Sequence, residues 1–311
     1  MAVIQENVPL RPLNNYQVGG RARYFAVVGT QADLVVALEF ARARQLQIFI
    51  LGGGTNIVFA DEGFDGLVIQ VALNGWSING DKLTSGAATN MEDLVDGSIA
   101  AGLSGLEWAG GLPGSLGGAI RGNAGAFQGE IKDVMFAVNS VALKNGRHVA
   151  RNNQQCQFGY RDSVFKRVDE VIVSATLRLK SSNQATLRRL ADEHIAYRKA
   201  RHPLEYPNGG SVFKNVAVER IPADARQHFR EFVKTDPFPV VPSGKIIDDA
   251  GLKGYRIGDA QISEKHCNYF VNRGSATASD ITALVLYTQK IVSDKFGIKL
   301  ELEQELVGLR S

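Results

Sequence analysis

Between Gly110 and Gly129 the chain reads GGLPGSLGGAIRGNAGAFQG, eight glycines in twenty residues, against the roughly 7% glycine of ordinary proteins. Glycine weakens helices and strands, so such density persists where backbone must take positive φ or where something presses on bare main chain. The intervening residues suit an anionic guest. Ser115, Ala119 and Asn123 are small, Arg121 is the sole charge in the run, and Pro113 stiffens its entry. Amides freed of side chains can then converge on a pyrophosphate. A second cluster, LGGGTNIV at Leu51 to Val58, ends in Thr55 and Asn56, whose side chains can hydrogen-bond a phosphate or the edge of a flavin ring. The alternatives are a mobile linker for the long run, or two tight turns without a ligand. Linkers are Ser-rich and lack the Leu112, Leu116, Ile120 and Phe127 that punctuate this run.

Two common nucleotide motifs are absent. A Rossmann fingerprint needs glycines at i, i+2 and i+5, and the pair Gly52 and Gly54 is followed at i+5 by Ile57. A P-loop needs Gly-Lys followed by Ser or Thr, and Gly244-Lys245 is followed by Ile246. What remains is two glycine loops, each beside strand-like sequence, able to grip one long cofactor from two sides.

Other residues carry chemistry only conditionally. Arg161 in FGYRDS offers a planar fork that can bind both oxygens of a carboxylate, or it pairs with Asp162 or another acid as a structural ion pair. Ser211 follows Gly209-Gly210, a tight turn that can present its hydroxyl, or it is a plain turn residue. In LEQEL, Glu303 and Glu305 share the face opposite the leucines, so pattern alone does not choose between them, and solvated surface is the ordinary reading of either. Tyr197, Arg198, Lys199 and Arg201 end a basic helix that can meet an anion or simply face water.

The elements that must position these groups are readable from periodicity. Ala32 to Arg44 and Ala185 to Ala200 repeat apolar residues at helical spacing, and Ala278 to Phe296 is a strong amphipathic helix with Ser279 or Asp280 expected as its N-cap and Gly297 at its end. QIFIL, LVIQVAL, Lys82 to Ala88, VNSVALKNGRHVA and Asp169 to Leu179 read as strands, with a turn at Asn145-Gly146. HPLEYPNGG at His202 to Gly210 marks a domain boundary. The 311 residues, 44% hydrophobic, suffice for about two domains. A net charge of +3 and no Lys/Arg-rich block argue against nucleic acid. Cys156 and Cys267 are far apart and in no CxxC pair, so neither a disulfide framework nor a metal site is expected. No signal peptide or apolar span is legible, and a cytoplasmic protein without membrane attachment is expected.

Three further strings complete an ordered pattern: FGYRDSVFK at Phe158 to Lys166, GGSVFKN at Gly209 to Asn215, and LEQEL at Leu302 to Leu306. With NNYQVGG at Asn14, LGGGTN, the long glycine run and EKHCNYFVN, essentially the whole chain resembles the UDP-N-acetylenolpyruvoylglucosamine reductase family. The resemblance implies an α+β fold: an FAD-binding domain of the vanillyl-alcohol-oxidase (PCMH) type in two subdomains, and a C-terminal α/β substrate-binding domain. It implies boundaries of 1–70 for the first subdomain, with a 306–311 tail, 71–201 for the second, and 202–305 for the substrate domain. It further implies non-covalent FAD, NADPH as hydride donor and a nucleotide-sugar substrate, in a chain expected to be a monomer.

Carried over by motif, Gly52, Gly53, Gly54, Thr55 and Asn56 from the first loop would bind FAD. So would Gly110, Pro113, Gly114, Ser115, Gly117, Gly118, Asn123 and Ala124 from the second. Arg161 would hold the substrate carboxylate, Ser211 would donate a proton, and Glu305 would stabilise an enol. Tyr160, Tyr197, Arg198, Arg201, Lys214, Asn215 and His266 would contact substrate. Four features depart from the family pattern: Val216 and Gln304 stand where proline is usual, Lys245-Ile246-Ile247-Asp248 stands where the family usually has Ala-Trp-Leu-Ile-Asp, and 180–203 has no room for the tyrosine-bearing loop of longer members. The chain is similar to the shorter, second type. Two other readings stay open on the same scaffold: an oxidase that passes electrons from a sugar or alcohol to oxygen, and a nucleotide-sugar binding protein without catalysis.

Overall fold

The computed structural model describes residues 2–308; Met1 and residues 309–311, which belong to the expected 306–311 tail, lie outside the described residues. The chain forms two compact units, one of Met1–Val8, Ala22–Gly53 and Asp65–Arg198, the other of Pro9–Arg21, Gly54–Phe64 and Lys199–Ser311. Two N-terminal stretches within the 1–70 span thus group with the C-terminal part of the chain.

In the first unit one sheet orders its strands Ile4–Pro9, Arg21–Val28, Phe64–Val71 and Ile48–Leu51. The last two run parallel, Ile48 opposite Leu67 and Leu51 opposite Gln70. Helix α1, Gln31–Ala43, starts at a capping box in which the Thr30 hydroxyl accepts from the Asp33 amide at 3.1 Å. It buries Leu34, Ala37, Leu38 and Ala41, the i, i+3, i+4, i+7 stripe of an amphipathic helix. A second, antiparallel sheet orders His148–Asn152, Met135–Ala142, Glu170–Arg178, Lys82–Gly86 and Trp76–Asn79. Its outer hairpin turns at Asn145-Gly146, where Gly146 has φ +72°. Leu83, Leu94, Leu116, Ile120, Val138 and Leu177 are fully buried in one core shared with α2, Met91–Ala100, and α3, Leu116–Arg121. Each such side chain contributes about 1.5–3 kcal/mol by leaving water. Helix α4, Gln184–Arg201, buries only Leu187, Ala191 and Arg198.

In the second unit the antiparallel order is Asn208–Ser211, Tyr269–Asn272, Ala260–Ile262, Arg256–Ile257. Short helices α5, Ala223–His228, and α6, Ser243–Asp249, and the long α7, Ala278–Phe296, complete it. Ile281, Leu284, Val285 and Val292 of α7 join Tyr16, Val18 and Val58 in the same core. The expected N-cap of α7 is corrected. Thr277, not Ser279 or Asp280, is the cap: it is extended, its hydroxyl accepts from the Asp280 amide at 3.0 Å, and the Asp280 carboxylate answers to the Thr277 amide at 3.0 Å. Asp280 therefore lies on the first helical turn as the reciprocal partner of a capping box. The Asp61 carboxylate accepts from the amides of Ala278 and Ser279 at 2.8 and 2.9 Å. Gly297 ends the helix at φ +64°, a conformation glycine adopts without penalty.

Cys156 and Cys267 are free and buried, and burial pushes both thiols up to about 11. No described helix is long and apolar enough to cross a membrane. Among the described residues, no group of three or more His, Cys, Asp or Glu gathers as a metal site.

Candidate functional site

The two glycine loops, more than fifty positions apart in the chain, meet in the first unit. A Cβ on Gly53 would lie 3.1 Å from the Gly114 Cα, and one on Gly52 would lie 3.0 Å from the Ser115 Oγ. Both contacts are tighter than most Cβ contacts in proteins, so a side chain at either position would press the facing loop aside. Gly53, Gly111, Pro113 and Gly118 nevertheless face solvent. Ser115 opens α3, its hydroxyl accepting from the Gly118 amide at 3.4 Å. The Leu116 and Gly117 amides are taken by the carbonyls of Thr89 and Ala87. The amides of Gly52, Gly53 and Ser115 meet no protein acceptor among the described residues. Exposed, side-chain-free backbone with amides left to donate fits a phosphate-bearing cofactor.

Not every glycine of the run serves that face. A Cβ on Gly110 would meet the α4 backbone at the Ala191 carbonyl, 2.6 Å away, and the Gly110 carbonyl accepts from the Arg198 Nε at 2.9 Å. The Arg198 guanidinium lies over Phe127, while Tyr197, on the exposed side of α4, packs edge-on to the same ring. Arg198 thus braces the glycine run from α4.

Asn123 is fully buried at φ +41°. Its Nδ2 donates to the Gly159 carbonyl at 2.8 Å, and its Oδ1 accepts from the Lys132 amide at 3.1 Å. The Ala124 amide donates to Ala119, and its carbonyl accepts from Ile131. Asn123 therefore ties the glycine run to FGYRDS. That motif turns sharply, with paired bonds between Gly159 and Asp162, buried Ser163 donating to the Arg121 carbonyl at 2.8 Å, and Lys166 Nζ donating to the Arg161 carbonyl at 2.7 Å. Arg161 sits at φ +53°, and its Nη2 donates to the Gly125 carbonyl at 2.8 Å. Its guanidinium also lies 5.3 Å from the centre of the Tyr160 ring. Asp162, the neighbouring acid, pairs with Arg167.

In the second unit the C-terminal segment joins the serine strand to the end of the first glycine loop. Leu302 bridges Phe213, the Glu303 amide donates to the Val212 carbonyl at 2.9 Å, and the Lys214 amide donates to Glu301 at 2.9 Å. On its other edge Glu305–Val307 pairs in parallel with Ile57–Phe59, the Glu305 amide donates to the Asn56 carbonyl at 3.1 Å, and the Asn56 Nδ2 donates to the Glu303 carbonyl at 3.0 Å. Gly54, at φ +65°, is bare because a Cβ there would lie 2.1 Å from the Leu13 carbonyl; Thr55 beside it is half-buried. Ser211, half-buried, stands opposite Tyr269 in the sheet. Lys214 lies 3.8 Å from Glu301, the Asn215 Oδ1 accepts from the Ser243 amide at 3.2 Å, and Arg201 is exposed.

His266 packs its ring where a Cβ on Gly244 would lie 3.2 Å away, and its Nδ1 accepts from the Asn268 amide at 3.3 Å. Burial pushes its basicity down. The accepting Nδ1 and the half-buried ring both favour neutral imidazole.

Sequence reasoning named Gln304 only as a departure from the family pattern and Tyr16 only within NNYQVGG, and gave neither a role. Gln304 is 5% exposed; its Nε2 donates to the carbonyls of Gly209 and Gly210 at 2.9 and 3.2 Å, and the Tyr16 hydroxyl donates to its Oε1 at 3.1 Å. The available signal was a glutamine between Leu302 and Leu306, the inward-facing positions of an alternating strand.

Comparison with known proteins adds the following. The family model of an FAD binding domain matches residues 22–150, and that of the UDP-N-acetylenolpyruvoylglucosamine reductase C-terminal domain matches 202–307. A UDP-N-acetylenolpyruvoylglucosamine reductase from Lactobacillus delbrueckii subsp. bulgaricus is 37% identical over 98% of this chain and 95% of its own length. One from Caldanaerobacter subterraneus subsp. tengcongensis is 34% identical over 97% and 93%. The crystal structure of the UDP-N-acetylenolpyruvylglucosamine reductase from Thermus caldophilus superposes with a TM-score of 0.78 at 30% identity, covering 99% of this chain and all of that one.

Proposed function

The chain belongs to the UDP-N-acetylenolpyruvoylglucosamine reductase family and is an FAD-binding oxidoreductase, and from that premise we propose the following reaction and residue roles. NADPH is the reductant, and the enolpyruvyl ether of UDP-N-acetylglucosamine becomes the lactyl ether UDP-N-acetylmuramate, a peptidoglycan precursor made in the cytoplasm. Bound FAD supplies the hydride relay between nicotinamide and carbon. The glycine loops hold it, Gly52 and Gly53 together with Gly114, Gly117 and Gly118 presenting bare main chain.

Hydride arrival at the terminal vinyl carbon leaves negative charge on an enolate conjugated with the carboxyl group. Arg161 binds that carboxyl through its fork, a charge-assisted contact that strengthens as the enolate forms. Glu305, protonated or sharing a proton, hydrogen-bonds the enol form. Ser211 donates the proton that completes the adjacent carbon; a hydroxyl is a weak acid, and an enolate is basic enough to take its proton. Lys214, Asn215, Arg201 and Tyr197 are the candidates for the sugar and diphosphate. The observation that most supports this reading is the attachment of Arg161 to Gly125 and of Gly159 to Asn123, which joins the carboxylate-binding candidate to the glycine run.

The reaction is tested by anaerobic stopped-flow absorbance. Mixing with NADPH is expected to bleach the flavin band, and addition of the enolpyruvyl nucleotide to restore it. Bleaching without recovery would reject the substrate assignment, and oxygen-dependent turnover of an alcohol would favour the oxidase. The cofactor assignment has its own check. Gly53→Val adds a branched side chain where even a Cβ touches the Gly114 Cα at 3.1 Å, so FAD occupancy, read as the flavin-to-protein absorbance ratio, is expected to drop at least about tenfold. Full occupancy in that variant would move the cofactor away from these loops.

A further inference from the structure

Gly210 lies at φ +77° immediately before Ser211, and glycine has the widest torsional freedom of any residue. The direction of the Ser211 side chain therefore depends on what restrains the two peptide groups flanking Gly210. Three hydrogen bonds do so. Gln304 Nε2 holds the Gly209 carbonyl at 2.9 Å and the Gly210 carbonyl at 3.2 Å, and the Asn208 Oδ1 holds the Gly210 amide at 3.0 Å. Beyond the serine, the Val212 amide donates to the Asn268 carbonyl at 2.8 Å.

The same glutamine precedes Glu305, whose amide is fixed on Asn56 at 3.1 Å. Its amide orientation is not ambiguous. Two carbonyls accept only from an NH2 group, and the Oε1 is left to the Tyr16 hydroxyl at 3.1 Å. Burial pushes the Tyr16 phenol well above its ordinary value, which keeps it a donor. Close packing reserves the spot: a Cβ on Gly209 would lie 2.4 Å from the Tyr16 ring and 2.9 Å from the Gln304 Nε2.

We propose that Gln304 is a positioning residue which, with Tyr16, clamps the Gly209-Gly210 turn and so sets the direction of the Ser211 hydroxyl relative to Glu305. A leucine or proline at this position has no donor for either carbonyl, so the clamp is a property of this chain's glutamine. The proposal rests on the proton-donor role of Ser211.

The test uses FAD-loaded enzyme, pre-reduced with dithionite and mixed with the enolpyruvyl nucleotide, with NADPH bleaching measured separately. Gln304→Met keeps length and removes every hydrogen bond. It is expected to slow flavin reoxidation by substrate about tenfold to a hundredfold, with KM within about threefold and bleaching within about twofold of wild type. Gln304→Glu keeps the shape and places a buried ionisable group against two carbonyls, so that burial and the carbonyl dipoles raise its pKa while the Tyr16 hydroxyl donor opposes them. Protonated, it donates to one carbonyl; ionised, it repels both. Its reoxidation rate relative to wild type is expected to recover at least about fivefold as pH falls from about 8 to about 5.5.

A Gln304→Met enzyme within twofold of wild type in reoxidation overturns the proposal. Should that variant not fold, the Gln304→Glu ratio decides, and a ratio flat in pH overturns it. Ser211→Ala run alongside separates the two levels. If Ser211→Ala is slow and the Gln304 variants are normal, only the clamp is lost; if Ser211→Ala is normal, the proton-donor role itself fails.

Discussion

Substituting alanine for Ser211 is expected to leave NADPH-driven bleaching of the flavin within about twofold of wild type while slowing consumption of the enolpyruvyl substrate about a hundredfold or more, the scale of a lost general acid. The two half-reactions divide because only the second needs a proton delivered to carbon. Alanine removes one oxygen from a half-buried residue whose strand is held by backbone bonds to Asn268 and Glu303; folding and flavin content should not change. Single-turnover absorbance resolves the steps. Equal losses in both half-reactions would remove Ser211 from proton transfer and make it a structural residue of the turn.

Arg161→Lys is expected to cost about a hundredfold to a thousandfold in kcat/KM for the enolpyruvyl nucleotide, with flavin content unchanged. The guanidinium presents several donors in one plane, so it can keep its 2.8 Å bond to the Gly125 carbonyl and still offer donors to a carboxylate. A lysine ammonium is a point charge on a flexible stem and lacks that fork. Backbone conformation gives an independent reading. Arg161 holds φ +53°, a left-handed conformation that costs a non-glycine residue of order 1 kcal/mol. Arg161→Gly relieves that cost while deleting the charge, so Tm is expected to hold or rise as turnover falls at least as far as in the lysine variant. A lysine variant with normal kcat/KM would shift carboxylate binding to another cation. A glycine variant that unfolds would make the arginine a structural brace.

Much of the architecture was readable from local pattern. The helix expected at Ala278 to Phe296 has those bounds, and those expected at Ala32 to Arg44 and Ala185 to Ala200 lie within a residue of the observed ones. The hairpin turn falls at Asn145-Gly146. The N-cap of α7 was misplaced because Ser279, Asp280 and Thr277 are all capping residue types, and only backbone geometry distinguishes the cap from its reciprocal partner. The glycine density of Gly110 to Gly129 pointed to bare main chain, and Gly114, whose Cα would lie 3.1 Å from a Cβ on Gly53, is where the other glycine loop comes close to it. Gly110 carries the same sequence signal for another reason, close approach of α4.

By itself the sequence determined the helices, strands and turns, the need for side-chain-free backbone in two loops, and, through its ordered motifs, membership in a flavin reductase family. Those features depend on a residue and its neighbours a few positions away, where helical or strand periodicity and glycine's torsional freedom operate. Tertiary structure alone decided how the polar groups are used: that Asp162 takes Arg167 while Arg161 reaches Gly125, that Asn123 is spent on Gly159, and that Gln304 meets Tyr16 and Gly209. The last two partners lie 288 and 95 positions away along the chain. A buried amide must find hydrogen bonds wherever packing leaves donors and acceptors, and at such separations the whole fold, rather than local pattern, chooses which groups those are.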